Sequence, residues 1–168
     1  LTAALNKVAG KPYRFIITKD QPGSDAIKVA LLYRPSSVSV EGNAAMLLSK
    51  PFDWGSRPPL AQSFRHLASN ELVTVSINHF KSKGSCPKDA ADKDADQGDG
   101  QACWNALRVT SAKALSDWLA SQPTGVTSNK QLILGDLNAY RLEDPVTTLE
   151  QRNWHYLSAA EGSQYSYV

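Results

Sequence analysis

The sequence predicts an α+β fold, with an αββα layered sandwich as the architecture that suits it. Three observations carry this. Leu72 to Phe80 (LVTVSINHF) alternates, with Val73, Val75, Ile77 and His79 on one face of a strand. Gln131 to Asp136 is a short apolar strand running into a polar end. Between them, Trp104, Leu107, Leu115, Trp118 and Leu119 mark one amphipathic helix, stopped before Pro123. One long helix among many strands argues against a doubly wound parallel fold.

The other elements follow in order. Leu1, Leu5 and Val8 have helical spacing and close on Gly10, a usual residue just past a helix end. Tyr13, Phe15 and Ile17 suggest a strand, and Asp20 to Ser24 (DQPGS) a tight reversal. Ile27 to Tyr33 (IKVALLY) reads as an apolar strand that Ser37 to Val40 extend beyond Pro35. Pro58-Pro59 precede a short strand over Leu60 to His66. Residues 84–102 form an irregular insertion rich in Gly and Asp, and the tail SQYSYV alternates like a strand. No internal repeat is visible.

Composition narrows the function classes. At 168 residues, 42% hydrophobic and 20% charged, the chain suits one globular domain burying roughly 70% of its unfolded surface. A net charge of +2 advertises no strong field for nucleic acid or membrane. No apolar run approaches the roughly 18 residues a membrane span needs, and no signal-peptide pattern is present. The chain begins at Leu1 without a methionine, which reads as a trimmed terminus.

Four places carry residue types suited to chemistry, each with a plainer reading beside it. In Gly135-Asp136-Leu137-Asn138, Asp136 and Asn138 project to one side while strand geometry persists. Such a pair holds a hard cation, orients a water or bonds a phosphate; it equally fits an Asx turn after a strand. His79 ends its strand with Asn78 before it and Lys81 and Lys83 after it, a grouping suited to a phosphodiester. A structural histidine and a solvated lysine loop are the plainer account. Arg57, in SRPP, offers a guanidinium fork for phosphate, or is a surface arginine. Asp25 enters the IKVALLY strand, where it either orients His79 or caps the preceding turn.

Cys86 and Cys103 bracket the acidic insertion. Their even count fits a disulfide closing a loop of about 17 residues, and two free thiols fit as well. Residues 86–103 hold five Asp and two Lys, so the remaining chain carries +5 and the near-neutral total hides a basic body. Asp92, Asp94 and Asp96 copy the alternate spacing of a calcium loop, but Gln97 stands where that loop needs Gly and no Glu completes it. A solvated acidic loop is the simpler reading.

The ordered segments IKVALLYRP, SRPPL, VTVSINHFKSKG, a helix, LILGDLNAY and SYV resemble the endonuclease/exonuclease/phosphatase superfamily. Among its members, bacterial extracellular nucleases of the ExeM type look closest, with more distant similarity to pancreatic-type deoxyribonucleases. The resemblance spans roughly residues 1–168 as one domain; GDLN alone is weak, the ordered set more specific. It implies a deoxyribonuclease-like αββα sandwich, present here as a partial domain. It assigns Asp136 and Asn138 to the metal, the nucleophilic water and the phosphate, His79 to the scissile phosphate, and Arg57 to phosphate binding. Asp25 is the acidic residue nearest to the place of the histidine's carboxylate partner. The implied reaction is hydrolysis assisted by Mg²⁺, Mn²⁺ or Ca²⁺.

Two departures accompany the match. No strand carrying the family's metal-binding Glu precedes the first helix, and no Asp-His dipeptide follows SYV. The resemblance therefore implies an enzyme cut at both ends, with these 168 residues alone inactive or nearly so. The extracellular relatives imply a secreted or periplasmic protein and favour the Cys86–Cys103 bridge. DNA is the expected substrate, with RNA as a further one. A phosphoesterase on small or lipid phosphodiesters and a non-catalytic binding domain on the same scaffold are the competing readings.

Overall fold

Alternation in the Leu72 segment produces the central strand of a four-stranded mixed sheet. The computed structural model describes residues 1–10, 12–19 and 26–157. Along the chain run α1 (Thr2–Val8), β1 (Arg14–Phe15), β2 (Leu32–Tyr33), β3 (Val38–Met46), β4 (Arg57–His66), β5 (Leu72–His79), α2 (Asn105–Ala120), β6 (Gln131–Asp136) and α3 (Asp144–Glu150). β1 and β2 pair as a short antiparallel ribbon, while the main sheet has the order β3-β4-β5-β6. β3, β4 and β5 are antiparallel neighbours, and β6 lies parallel to β5. A parallel neighbour needs a long crossover, and the segment carrying the disulfide loop and α2 supplies it.

Period-two geometry divides the sheet into two faces. Ala61, Phe80 and Ile133 point toward the helices and join Phe52, Ala112, Leu115, Leu119 and Leu149 in the core. On the other face Leu60 and Phe64 are buried, with Tyr33 of β2 packed on Phe64 at a 5.5 Å ring separation. Val73, Val75 and Ile77 on that face are half-buried, and Leu134 of β6 is 47% exposed. A buried hydroxyl cluster pairs internally: Ser63 Oγ lies 2.7 Å from Thr74 Oγ1 and 2.6 Å from Thr124 Oγ1.

Several elements differ from expectation for identifiable reasons. The IKVALLY segment contributes only Leu32 and Tyr33 to a strand. β3 continues past Val40 to Met46, because a register shift between Glu41 and Ala45 absorbs Gly42 and Asn43. β4 starts at Arg57 rather than Leu60; a second shift, between Arg57 and Leu60, accommodates the two prolines. In α2 the buried stripe runs Arg108, Ser111, Ala112, Leu115, Ser116, Leu119. Half of it is polar, so the apolar pattern alone misplaced its first turns. α3 was not expected, although Pro145 and Asp144 at its start suit a helix N-terminus. The tail SQYSYV lies outside the described residues.

Candidate active site

The ends of β4, β5 and β6 bring three of the singled-out residues into one row. Arg57 pairs with His79 in the antiparallel register, and His79 pairs with Asp136 in the parallel one. With strands about 4.8 Å apart, the row spans about 10 Å. His79 follows Val75 and Ile77 on the same face, and Asp136 follows Leu132 and Leu134, so both side chains emerge where two apolar rows end. His79 Nε2 lies 3.9 Å from Asp136 Oδ2, with side-chain exposures of 27% and 64%.

Gly135 makes this closeness possible. Its φ is +117°, and a Cβ there would lie 2.1 Å from the Asn78 carbonyl oxygen. Only a residue without a side chain lets β6 approach β5 so closely at that point. Beyond the strand, the Phe80 N–H donates to the Asp136 carbonyl at 2.9 Å. The Asn138 N–H donates to Asp136 Oδ1 at 2.8 Å, and Asn138 Nδ2 donates to the Phe80 carbonyl at 3.0 Å. Asp136 and Asn138 therefore meet through an Asx turn, not along a continuing strand, and Asn138 has a left-handed φ of 48°. The turn leaves Asp136 Oδ2 on the His79 side and ties Asn138 back to the end of β5.

The remaining sequence candidates take other places. Asn78 is buried, its amide donating to the Ser76 and Leu134 carbonyls, so it braces the strands. Lys81 is buried too, donating to the Ser82 and Gly84 carbonyls with its ammonium 4.9 Å over the Trp104 ring. Burial, reinforced by Arg108 and Arg57, holds its pKa below the usual lysine value. Lys83 pairs with Glu143 and lies 4.7 Å over the Tyr140 ring. Neither lysine is the solvated loop cation of the plainer reading. Asp25 lies outside the described residues.

Cys86 and Cys103 are joined by a disulfide across 17 positions. Within that loop each of the five aspartates accepts a backbone N–H: Asp89 from Ala91, Asp92 from Asp94, Asp94 from Leu107, Asp96 from Gly98 and Asp99 from Gln101. In four of them, Asp94 excepted, the donor lies two residues on, the spacing of an Asx turn. Asp94 goes further, because Leu107 is in the first turn of α2; its carboxylate is the remote cap that this helix start otherwise lacks.

Sequence reasoning missed Arg108. This fully buried guanidinium donates to the carbonyls of Lys81, Cys103 and Gln101. It clamps the exit of β5 to the disulfide loop, and burial lowers its pKa against the opposing pull of Glu143, Asp94 and Asp99. Its position seven residues before Leu115 on the helical stripe was the available signal.

Beside the row, a cleft of about 1490 Å³ runs along β6, lined in part by Asp136, Asn138, Lys83, Tyr140, Arg152 and His155. For a metal, Asp136 Oδ2 and the Asn138 side-chain oxygen are hard donors of the kind that hold Mg²⁺ alongside waters and substrate phosphate. The described residues gather no group of three or more His, Cys, Asp or Glu around one point. Among the described residues, no helix is long and apolar enough to cross a membrane.

No protein-family model and no curated protein matches the sequence. Solved structures do. The human Nocturnin catalytic domain, with a bound sulfate anion, superposes with a TM-score of 0.55 at 16% identity, over 86% of this chain and 48% of that one. An endonuclease/exonuclease/phosphatase family protein from Bacteroides thetaiotaomicron gives 0.59 at 16% identity, over 90% and 50%. A mannosyl-6-phosphatase of the same organism gives 0.59 at 15% identity, over 90% and 52%. The chain thus has the fold of endonuclease/exonuclease/phosphatase proteins, and it spans about half the length of the structures it matches.

Proposed function

We propose that this chain carries active-site residues of a secreted, divalent-metal-dependent nuclease of the ExeM type, cleaving DNA and also RNA. The row Arg57–His79–Asp136, with Asn138 folded back beside it, is the observation that carries the reading. The coarser assignment, a hydrolytic phosphoesterase, agrees with the fold shared with the three neighbours.

In this reading the Arg57 guanidinium holds a non-bridging phosphate oxygen and His79 donates to the phosphoryl oxygen that gains charge. Asp136 Oδ2 orients the attacking water in line with the departing oxygen and accepts its proton. Asn138, anchored through its amide nitrogen, keeps its side-chain oxygen available and steadies the Asp136 carboxylate by its backbone N–H. Asp136 and Asn138 would hold Mg²⁺, Mn²⁺ or Ca²⁺, which supplies charge neutralisation at the phosphoryl group. The disulfide fits an oxidising compartment, which supports an extracellular or periplasmic location.

The test assays the full gene product on plasmid DNA, RNA and a phosphomonoester in parallel. Metal-dependent diester cleavage that falls by at least about 100-fold in Asp136→Ala and His79→Ala supports the reading. Preference for the monoester would favour a phosphatase, the activity named for one neighbour. Tight oligonucleotide binding without turnover would favour a binding domain.

A further inference from the structure

The segment leading into β4 places a large aromatic ring in water. Trp54 is 58% exposed and stands three residues before Arg57. At no more than about 3.6 Å per residue, their Cα atoms lie within about 11 Å of each other. A tight reversal, with the Ser56 N–H donating to the Trp54 carbonyl at 2.8 Å, fixes its direction.

Behind Trp54 stands Trp104, its ring centroid 5.2 Å away and its plane tilted by 57°. Trp104 is held from several sides. Its indole N–H donates to the Gly84 and Ser85 carbonyls at 3.0 Å, and its backbone N–H donates to the Asp94 carbonyl at 2.7 Å. Its φ is 66°, uncommon for a bulky residue and kept by those bonds. Lys81, two residues after His79, covers its ring with the ammonium and lays its stem against Gly55, where a Cβ would come within 3.0 Å. The tryptophan pair is thereby coupled to the end of the strand that carries His79. Trp54 also lines a groove of about 440 Å³ together with Leu107 and Ala114 of α2, where Lys50 and Lys113 are balanced by Asp53 and Asp117.

Trp54 is held by its neighbour yet keeps more than half of its surface in solvent. We infer that Trp54, backed by Trp104, is a stacking subsite for a nucleobase flanking the phosphate held by Arg57 and His79. The inference rests on the phosphodiester reading above. Stacking on an aromatic face tolerates any base, so the subsite adds affinity for nucleic acid over bare phosphodiesters without adding sequence preference.

The test compares binding of a phosphorothioate thymidine decamer with that of an abasic decamer having the same number of phosphates. Wild type binds the thymidine strand roughly tenfold more tightly. Trp54→Ala reduces that strand to the abasic level and leaves abasic binding unchanged, and Trp54→Phe recovers part of the difference. Equal wild-type binding of both strands, or a difference that survives Trp54→Ala, overturns the subsite alone. Abasic binding that itself depends on Trp54 assigns the ring to a sugar and overturns the nucleobase. Binding of neither strand sinks the phosphodiester reading together with the subsite.

Discussion

His79 and Asp136 stand opposite each other in the parallel register of β5 and β6, with Nε2 3.9 Å from Oδ2. They are 57 positions apart in the chain, so only the crossover through α2 brings them together. Parallel strands end on the same side, and here both end in a polar side chain on the same face. Arg57 completes the row because a register shift in β4 puts it, rather than Pro58, across from His79.

Gly135 is the tightest constraint on that geometry. Gly135→Ala would combine a disfavoured φ of +117° with a Cβ 2.1 Å from the Asn78 oxygen. The expected cost is about 3 kcal/mol, from backbone strain and overpacking together. Urea denaturation measures it; a variant as stable as wild type would mean that the strands can separate here without loss.

Arg108→Met removes a buried guanidinium and leaves the Gln101 and Cys103 carbonyls without their donor. A loss of about 3 kcal/mol is expected, near the lower end for breaking a buried charged network. Hydrogen exchange should also show earlier opening at residues 80–84 than in the variant's sheet, since Lys81 loses its tether to α2.

Asp94→Ala tests the remote cap. Leu107 then has no carboxylate partner, and α2 should lose about 1 kcal/mol, the usual value of a lost helix cap. Asp96→Ala, whose carboxylate serves only a turn within the loop, should cost less in the same thermal melts.

Lys81 gives a pH signature. Burial lowers its pKa in the folded chain below 10.5, so through the window beneath that value the unfolded chain binds more protons. Stability should therefore rise with pH there, while the cost of the buried charge is fully present at lower pH. Chemical denaturation of wild type and Lys81→Met, from neutral pH up to about 10, should show this rise in wild type alone. Parallel curves would mean that Lys81 is not desolvated.

How much was legible in the sequence depended on how local each determinant is. The β5 alternation, the end of α2 before Pro123 and the polar end of β6 are local patterns, and each appears in the structure. Arg57 was legible as a cation but not as a neighbour of His79, because the register shift is set by how two prolines fit the sheet. Lys81 and Lys83 looked like solvated cations since their partners, Trp104 and Glu143, arrive only with the folded crossover. Asp92, Asp94 and Asp96 had calcium-loop spacing, yet Asp92 and Asp96 serve Asx turns and Asp94 caps α2. What separates these uses is where the N–H groups point, which the sequence does not encode locally.

In the proposed function Asp136, beside His79 and Arg57, makes phosphate recognition depend on a divalent metal. The direct measurement is calorimetric titration of a phosphorothioate thymidine decamer with and without Mg²⁺, in wild type and Asp136→Ala. Mg²⁺ should strengthen binding to wild type by about tenfold or more and have no such effect on the variant. An equal Mg²⁺ effect in both proteins would contradict it.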